Sequence, residues 1–165
     1  MAETRLFNCG DVSLKGMTGT WAEDLASNVF SYKHTDGNDT SVVAIPIPRY
    51  NGGKTWRNSP SIIKVTYTLT TADLDAAPTA VLDKMSWSSS TGVTTRSAVT
   101  QTLTFGGVDA VGTAAGSGSA GTHIAIVTVT TTENLLDTEY YVLELTLNAG
   151  ASTVLNIQNF EVTYI

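Results

Sequence analysis

EYYVLELTLNA, residues 139–149, alternates with a period of two: Tyr141, Leu143, Leu145 and Leu147 share one parity, and Tyr140, Glu144 and Thr146 share the other. A helix would scatter those four apolar side chains around its axis, whereas a pleated strand lines them up on one face. The stretch predicts a strand with one buried and one wet face, and the pattern recurs on both sides of it. In SIIKVTYTLTT (61–71), Ile63, Val65, Tyr67 and Leu69 alternate with Lys64, Thr66, Thr68 and Thr70. TAVLDKMSW (79–87), SAVTQTLTF (97–105) and THIAIVTVTTT (122–132) read as three further strands, the last with Ala125, Val127 and Val129 on one side. SVVAIPIPRY (41–50) is a strand carrying Pro46 and Pro48. Proline cannot donate to a ladder, so this strand belongs at a sheet edge or leaves the sheet there.

TVLNIQNFEVTYI (153–165) breaks the alternation once. Leu155 and Ile157 share one parity, and Phe160, Val162 and Tyr164 the opposite one. A β-bulge at Gln158 and Asn159 would return all five to the same side. Seven or so strands with turn-rich connections and almost no helical periodicity predict an all-β fold, an antiparallel β-sandwich of jelly-roll type. Its expected core holds Ile63, Val65, Tyr67, Leu69, Val127, Val129, Leu143, Leu145, Leu147, Phe160 and Val162.

Upstream the pattern is weaker. TWAEDLASNVF (20–30) pulls two ways: Thr20 and Glu23 fit a capping box with Trp21, Leu25 and Val29 at helical spacing, while Asn28, Val29 and Phe30 are poor helix formers and VFSY suits a strand. Residues 1–40 are read as a less regular N-terminal arm or adapter, and residues 41–165 as the sandwich domain.

Composition narrows the function. Of 165 residues, 15% are charged and the net charge is -6, with Lys54, Arg57 and Lys64 scattered. Phosphate neutralisation needs clustered cations, so nucleic acid is not the expected partner. A single cysteine, Cys9, leaves no internal disulfide and no multi-cysteine zinc site. The first residues lack a basic stretch followed by an apolar run, and no segment has the length of a membrane span, so the expectation is a protein made in a cytoplasm without a signal peptide and without a membrane partner.

Chemical motifs are scarce. GSGSAG (116–121) satisfies G-x-G-x-x-G, but a dinucleotide loop must open a helix whose N-terminus holds the pyrophosphate, and here HIAIVTVT follows, a strand. A flexible hairpin loop and no cofactor are expected. His34 and His123 are the only histidines, and His123 has no acidic or cysteine residue at ligand spacing; it is read as an ordinary strand-end residue. In HTDGNDT (34–40), Asp36, Asn38 and Asp39 carry oxygen ligands without the later Gly and Glu of a calcium loop, so a turn is expected there and no metal. Asp73, Asp75 and Asp83 read as solvated carboxylates. With no nucleophile elbow and no paired acid and base, a non-enzymatic protein is expected.

The run from SVVAIPIPRY through SIIKVTYTLTTADLDAAPTAVLDKMSW, closed by TTTENLLDTEYYVLELTLNAGASTVLNIQNFEVTYI, resembles β-sandwich structural proteins of tailed-bacteriophage virions, of the capsid decoration or cement type. The resemblance covers residues 41–165 and consists of an apolar strand, a T-A-x-L-D turn, a second strand and a closing hairpin with Tyr-Tyr in its first strand. It implies a jelly-roll virion protein that stabilises the phage head, assembles as a homotrimer and contacts the major capsid protein or another virion protein. The alternative is a receptor- or glycan-binding module of a head or tail fibre, with Trp56 and Trp87 on one surface.

Partner contacts are expected from apolar residues outside the core pattern, since aromatics and Arg concentrate the energy of interfaces. Leu6, Phe7, Trp21, Phe30 and Tyr32 in the N-terminal segment, with Trp56 and Arg57 in NGGKTWRNSP, are the candidates.

Overall fold

A computed structural model of the chain describes residues 2–8, 20–26, 29–34, 39–48, 59–69, 74–107, 120–149 and 155–165. Eleven strands lie among them: β1 (Glu3–Asn8), β2 (Trp21–Ala26), β3 (Val29–His34), β4 (Asp39–Pro46), β5 (Pro60–Leu69), β6 (Leu74–Trp87), β7 (Thr94–Ala98), β8 (Gln101–Gly107), β9 (Gly121–Val129), β10 (Glu139–Ala149) and β11 (Leu155–Tyr164). One sheet has seven strands in the order β2-β3-β11-β5-β9-β8, with β1 also paired to β11; the other has four, in the order β4-β10-β6-β7. Every pairing is antiparallel. The chain passes from one sheet to the other between β3 and β4, β4 and β5, β5 and β6, β7 and β8, β9 and β10, and β10 and β11. With β3-β11-β5-β9 in one layer and β4-β10-β6-β7 in the other, this is a jelly roll with β8 added at one margin.

The core follows the period-two pattern. All eleven expected residues are buried, and Val43, Ile45, Leu82, Ala125, Tyr141, Leu155, Ile157 and Tyr164 join them from both sheets. Leu143 and Leu145 of β10 lie opposite Leu82 and Ala80 of β6 and opposite Ile45 and Val43 of β4, so the three strands present one apolar surface to the other sheet. At about 25 cal/mol per Å² of apolar surface removed from water, this continuous layer is the main source of stability in a chain with one cysteine.

The fault in the last strand is a bulge. Ile157 pairs with Tyr67 and Asn159 with Thr66, so Gln158 is the extra residue, and Leu155, Ile157, Phe160, Val162 and Tyr164 are all buried. β4 lies at an edge, as its prolines require. SAVTQTLTF, read as one strand, is two: Ala98 ends β7 in the four-stranded sheet and Gln101 begins β8 in the seven-stranded one. Val99 and Thr100 make the corner, where Val99 N–H donates to the Leu82 carbonyl (2.8 Å) and Thr130 N–H to the Thr100 carbonyl (3.0 Å). Each corner residue thus continues the ladder of a different sheet.

Within residues 1–40, three segments are strands of the seven-stranded sheet. TWAEDLASNVF resolves to a hairpin, with Ala26 opposite Val29 and Trp21 opposite His34. Pairing with β11 decides the outcome, because β3 completes the ladder beside Leu155, Asn156 and Ile157. Tertiary pairing of this kind overrides a local helix preference worth a few tenths of a kcal/mol per residue, roughly.

Candidate functional site

The outer face of the four-stranded sheet carries three of the exposed large apolar side chains, Val81, Trp87 and Tyr140. Across its strands the register sets Pro46 opposite Val142, Val142 opposite Asp83 and Asp83 opposite Ala98; the next row runs from Tyr140 to Met85 to Arg96. Trp87 lies two residues beyond Met85, on the same face, and is 48% exposed; Tyr140 is 37% exposed and Val81 46%. Tyr140 and Trp87 are diagonal neighbours, a relation that puts Cα atoms roughly 7–8 Å apart. Two exposed aromatic residues thus share one face of the sheet at neighbouring register positions.

A charged group crosses the middle of this face. The Arg96 guanidinium, on β7, pairs with the Asp83 carboxylate of β6 and reaches Glu144 of β10 at 3.2 Å. Its path lies over Asp83, which explains why that side chain is only 4% exposed on a face otherwise open to water. The Asp83 hydrogen bond and charge, followed by the Glu144 charge, raise Arg96 above its ordinary pKa and keep it cationic. One cation between two carboxylates leaves the trio with a net charge of about −1. Glu144 and Arg96 remain partly open to solvent and have lone pairs and N–H groups to offer.

Behind the corner at Val99 lies a cleft of about 220 Å³, lined by Lys84, Ser97, Val99, Thr100, Thr131 and Glu133. Its charges serve the fold. Lys84 Nζ lies 2.9 Å from Glu133 and 3.8 Å from Glu139, the Tyr141 hydroxyl donates to Glu133 (3.3 Å), and Glu139 accepts from Leu136 N–H (2.9 Å) and the Ser86 hydroxyl (3.2 Å). The Glu133 hydrogen bond is the largest influence on Lys84 and raises its pKa, against the lowering effect of burial. Lys84 thus ties β6 to Glu133, in the connection between β9 and β10, and to Glu139 at the start of β10.

The contact residues expected from sequence fall in different places. Leu6, on β1, points outward and is 68% exposed. Phe7 turns inward and stacks on Phe160, ring centroids 5.1 Å apart and planes 17° from parallel, which leaves Leu6 as the surface residue of the pair. Trp21 lies in β2, and Phe30 and Tyr32 in β3, where their backbones pair with Leu25 and Glu23. Trp56 and Arg57 lie outside the described residues, as do most of HTDGNDT and the glycine-rich run from 108 to 119. Gly121 begins β9, so the G-x-G-x-x-G pattern leads into a strand.

His123 is fully buried, not at an open strand end, and its ring stacks on Tyr67 at 5.2 Å. Asp83, read as solvated, is the buried carboxylate under Arg96. Met85, Arg96 and Glu144 were not singled out by sequence; the signal available was the outward parity of Tyr140 and Glu144 together with an unusually apolar opposite strand. Among the described residues no group of three or more His, Cys, Asp and Glu is placed to hold a metal ion.

No protein-family profile matches the chain, and no curated protein matches it in sequence. Two solved structures share some of its shape. One is the Clostridium thermocellum endo-1,4-beta-D-xylanase 10B, its CBM22-1 and GH10 modules complexed with xylohexaose, at 12% identity and a TM-score of 0.35 over 95% of this chain and 25% of that one. The other is winged bean acidic lectin complexed with methyl-alpha-D-galactose, at 11% identity and a TM-score of 0.37 over 98% of each chain. This chain spans a quarter of the xylanase chain.

Proposed function

We propose that the domain is a non-enzymatic recognition module that binds carbohydrate on the outer face of its four-stranded sheet. The observation that supports this reading is the pairing of exposed Trp87 and Tyr140 with the Asp83–Arg96–Glu144 trio on a single face. A sugar ring has an apolar C–H face and a rim of hydroxyls. Aromatic rings cover the first, and charged donors and acceptors fixed by their own ion pairs bind the second. An open sheet suits an extended chain of sugars better than it suits a small molecule, which needs a concave pocket. The test is a glycan array followed by calorimetry. Trp87→Ala and Tyr140→Ala should each weaken binding about tenfold or more, the loss of an interface anchor, while the thermal midpoint stays put because both rings lie outside the core. Loss of binding by neither variant, or no binding to any glycan, would reject the reading.

A second reading keeps the virion role implied by the resemblance over residues 41–165. Leu6, exposed at 68% on β1, favours it as an apolar contact for a neighbouring virion protein. Binding of the purified protein to phage heads, lost in Leu6→Asp, would select it over carbohydrate.

A further inference from the structure

Among the described residues five strands form the margins of the two sheets, and an open margin offers unpaired N–H and C=O groups to any other strand. Four of the five carry residues that discourage such pairing. β1 has Glu3 and Arg5, β2 has Glu23 and Asp24, β4 has Asp39 and ends at Pro46, and β7 is only five residues long with Arg96 at its centre. The fifth, β8, reads QTLTFGG and has neither a charge nor a proline. It is also paired in register with β9, Gln101 opposite Val129 through Gly107 opposite His123, and its backbone is held extended as far as Gly107, whose φ of 78° ends the run.

The hydrogen bond from Thr130 N–H to the Thr100 carbonyl fixes which groups face outward. Thr100 and Thr130 continue the β8–β9 register, so even-numbered residues of β8 turn their backbone groups to β9 and Gln101, Leu103 and Phe105 turn theirs to the margin. Leu103 and Phe105 are only partly buried against the core. Their side chains face inward while Thr102 and Thr104 face water.

We infer that β8 is a self-association edge, at which a second copy of this chain pairs antiparallel about a two-fold axis at Thr104. In that register Thr104 meets Thr104 of the partner, Leu103 meets the partner's Phe105 twice over, and Gln101 meets the partner's Gly107. The outward N–H and C=O groups of Leu103 and Phe105 bond to those of the partner, and each aromatic–aliphatic pair covers apolar surface that one copy leaves only partly buried. The same strand supplies both halves of the contact, so the assembly closes as a dimer and cannot extend into a trimer through this edge.

Light scattering on the intact protein should give twice 17.4 kDa. Thr104→Lys sets two like charges directly opposite across the axis and should return the mass to that of one chain, with a cooperative thermal transition retained because Thr104 is exposed in the single chain, and a midpoint that no longer depends on protein concentration. In a Cys9→Ser background, Thr104→Cys should cross-link into a dimer on mild oxidation, since a non-hydrogen-bonded antiparallel pair has Cα atoms about 4.5 Å apart, within disulfide reach. Thr94→Cys, on the margin of the other sheet, should not. A wild-type monomer whose Thr104→Cys form stays uncross-linked would overturn the inference, as would any oligomer, a trimer included, that persists in Thr104→Lys.

Discussion

Tyr141 and Tyr164 each bury a phenol completely, Tyr164 donating to the Pro48 carbonyl and Tyr141 to Glu133. Burial raises both hydroxyls well above the ordinary tyrosine value, and for Tyr141 the nearby Glu133 charge adds to the effect. In the unfolded chain the same groups ionise near pH 10, roughly. Above that pH the unfolded state holds fewer protons than the folded one, so stability falls as pH rises; below it the two states hold the same number and this source contributes no slope. Lys84, also raised, acts in the same direction. Urea midpoints should therefore be flat from this cause up to about pH 9 and decline above about pH 10. The double variant Tyr141→Phe, Tyr164→Phe should show a shallower decline, and an equally steep one would show that other groups control the alkaline limb. Trp87 was visible in the sequence as an aromatic at a strand end. Asp83 was not, because its burial depends on an arginine from the next strand lying over it, and parity alone says nothing about where a long side chain comes to rest.

Among the elements, β11 and the β8–β9 hairpin depend most on single backbone features. Deleting Gln158 removes the bulge, so either Leu155 and Ile157 or Phe160, Val162 and Tyr164 must turn to solvent. At about 2 kcal/mol for each apolar side chain exposed, the loss approaches the whole stability of a small domain. The deletion should leave no cooperative thermal transition, whereas Gln158→Ala, which keeps the residue count, should unfold within a few degrees of the parent. In the hairpin, Gly107 has φ of 78°, and a Cβ there would strike the Thr122 carbonyl oxygen. Gly107→Ala should cost about 1–3 kcal/mol, read from the denaturant midpoint. The bulge could be read from sequence because two parities collided within five apolar residues. The corner at Val99 and Thr100 could not. Thr and Val suit either sheet, and the β7 and β8 patterns join without a glycine or proline to mark the change. The β2–β3 hairpin was equally hidden, since two six-residue strands whose apolar and polar residues fall on both parities have little alternation to detect.

At the scale of the whole molecule, alternation told which side of each strand is wet and so gave the sandwich and its core. It did not tell which strands are neighbours. Nothing in TVLNIQNFEVTYI announces that it lies between SIIKVTYTLT on one side and two N-terminal strands on the other, because the partners are chosen by three-dimensional closure. For the same reason the face proposed for binding is not legible in the sequence: Trp87, Tyr140, Arg96 and Glu144 come from three strands and meet only once β10 is placed beside β6 and β7 beside it. The central seat of β11 also sets an order of events. β1 has its pairing partner in it, and β3 and β5 each have one of their two, so every earlier strand can leave the ribosome and the larger sheet still lacks its middle. Contacts of such long sequence separation pay their loop entropy before they gain any burial, which makes folding slow and late. Until β11 arrives, the core lacks Leu155, Ile157, Phe160, Val162 and Tyr164, and a nascent chain in that condition is the form a chaperone would meet.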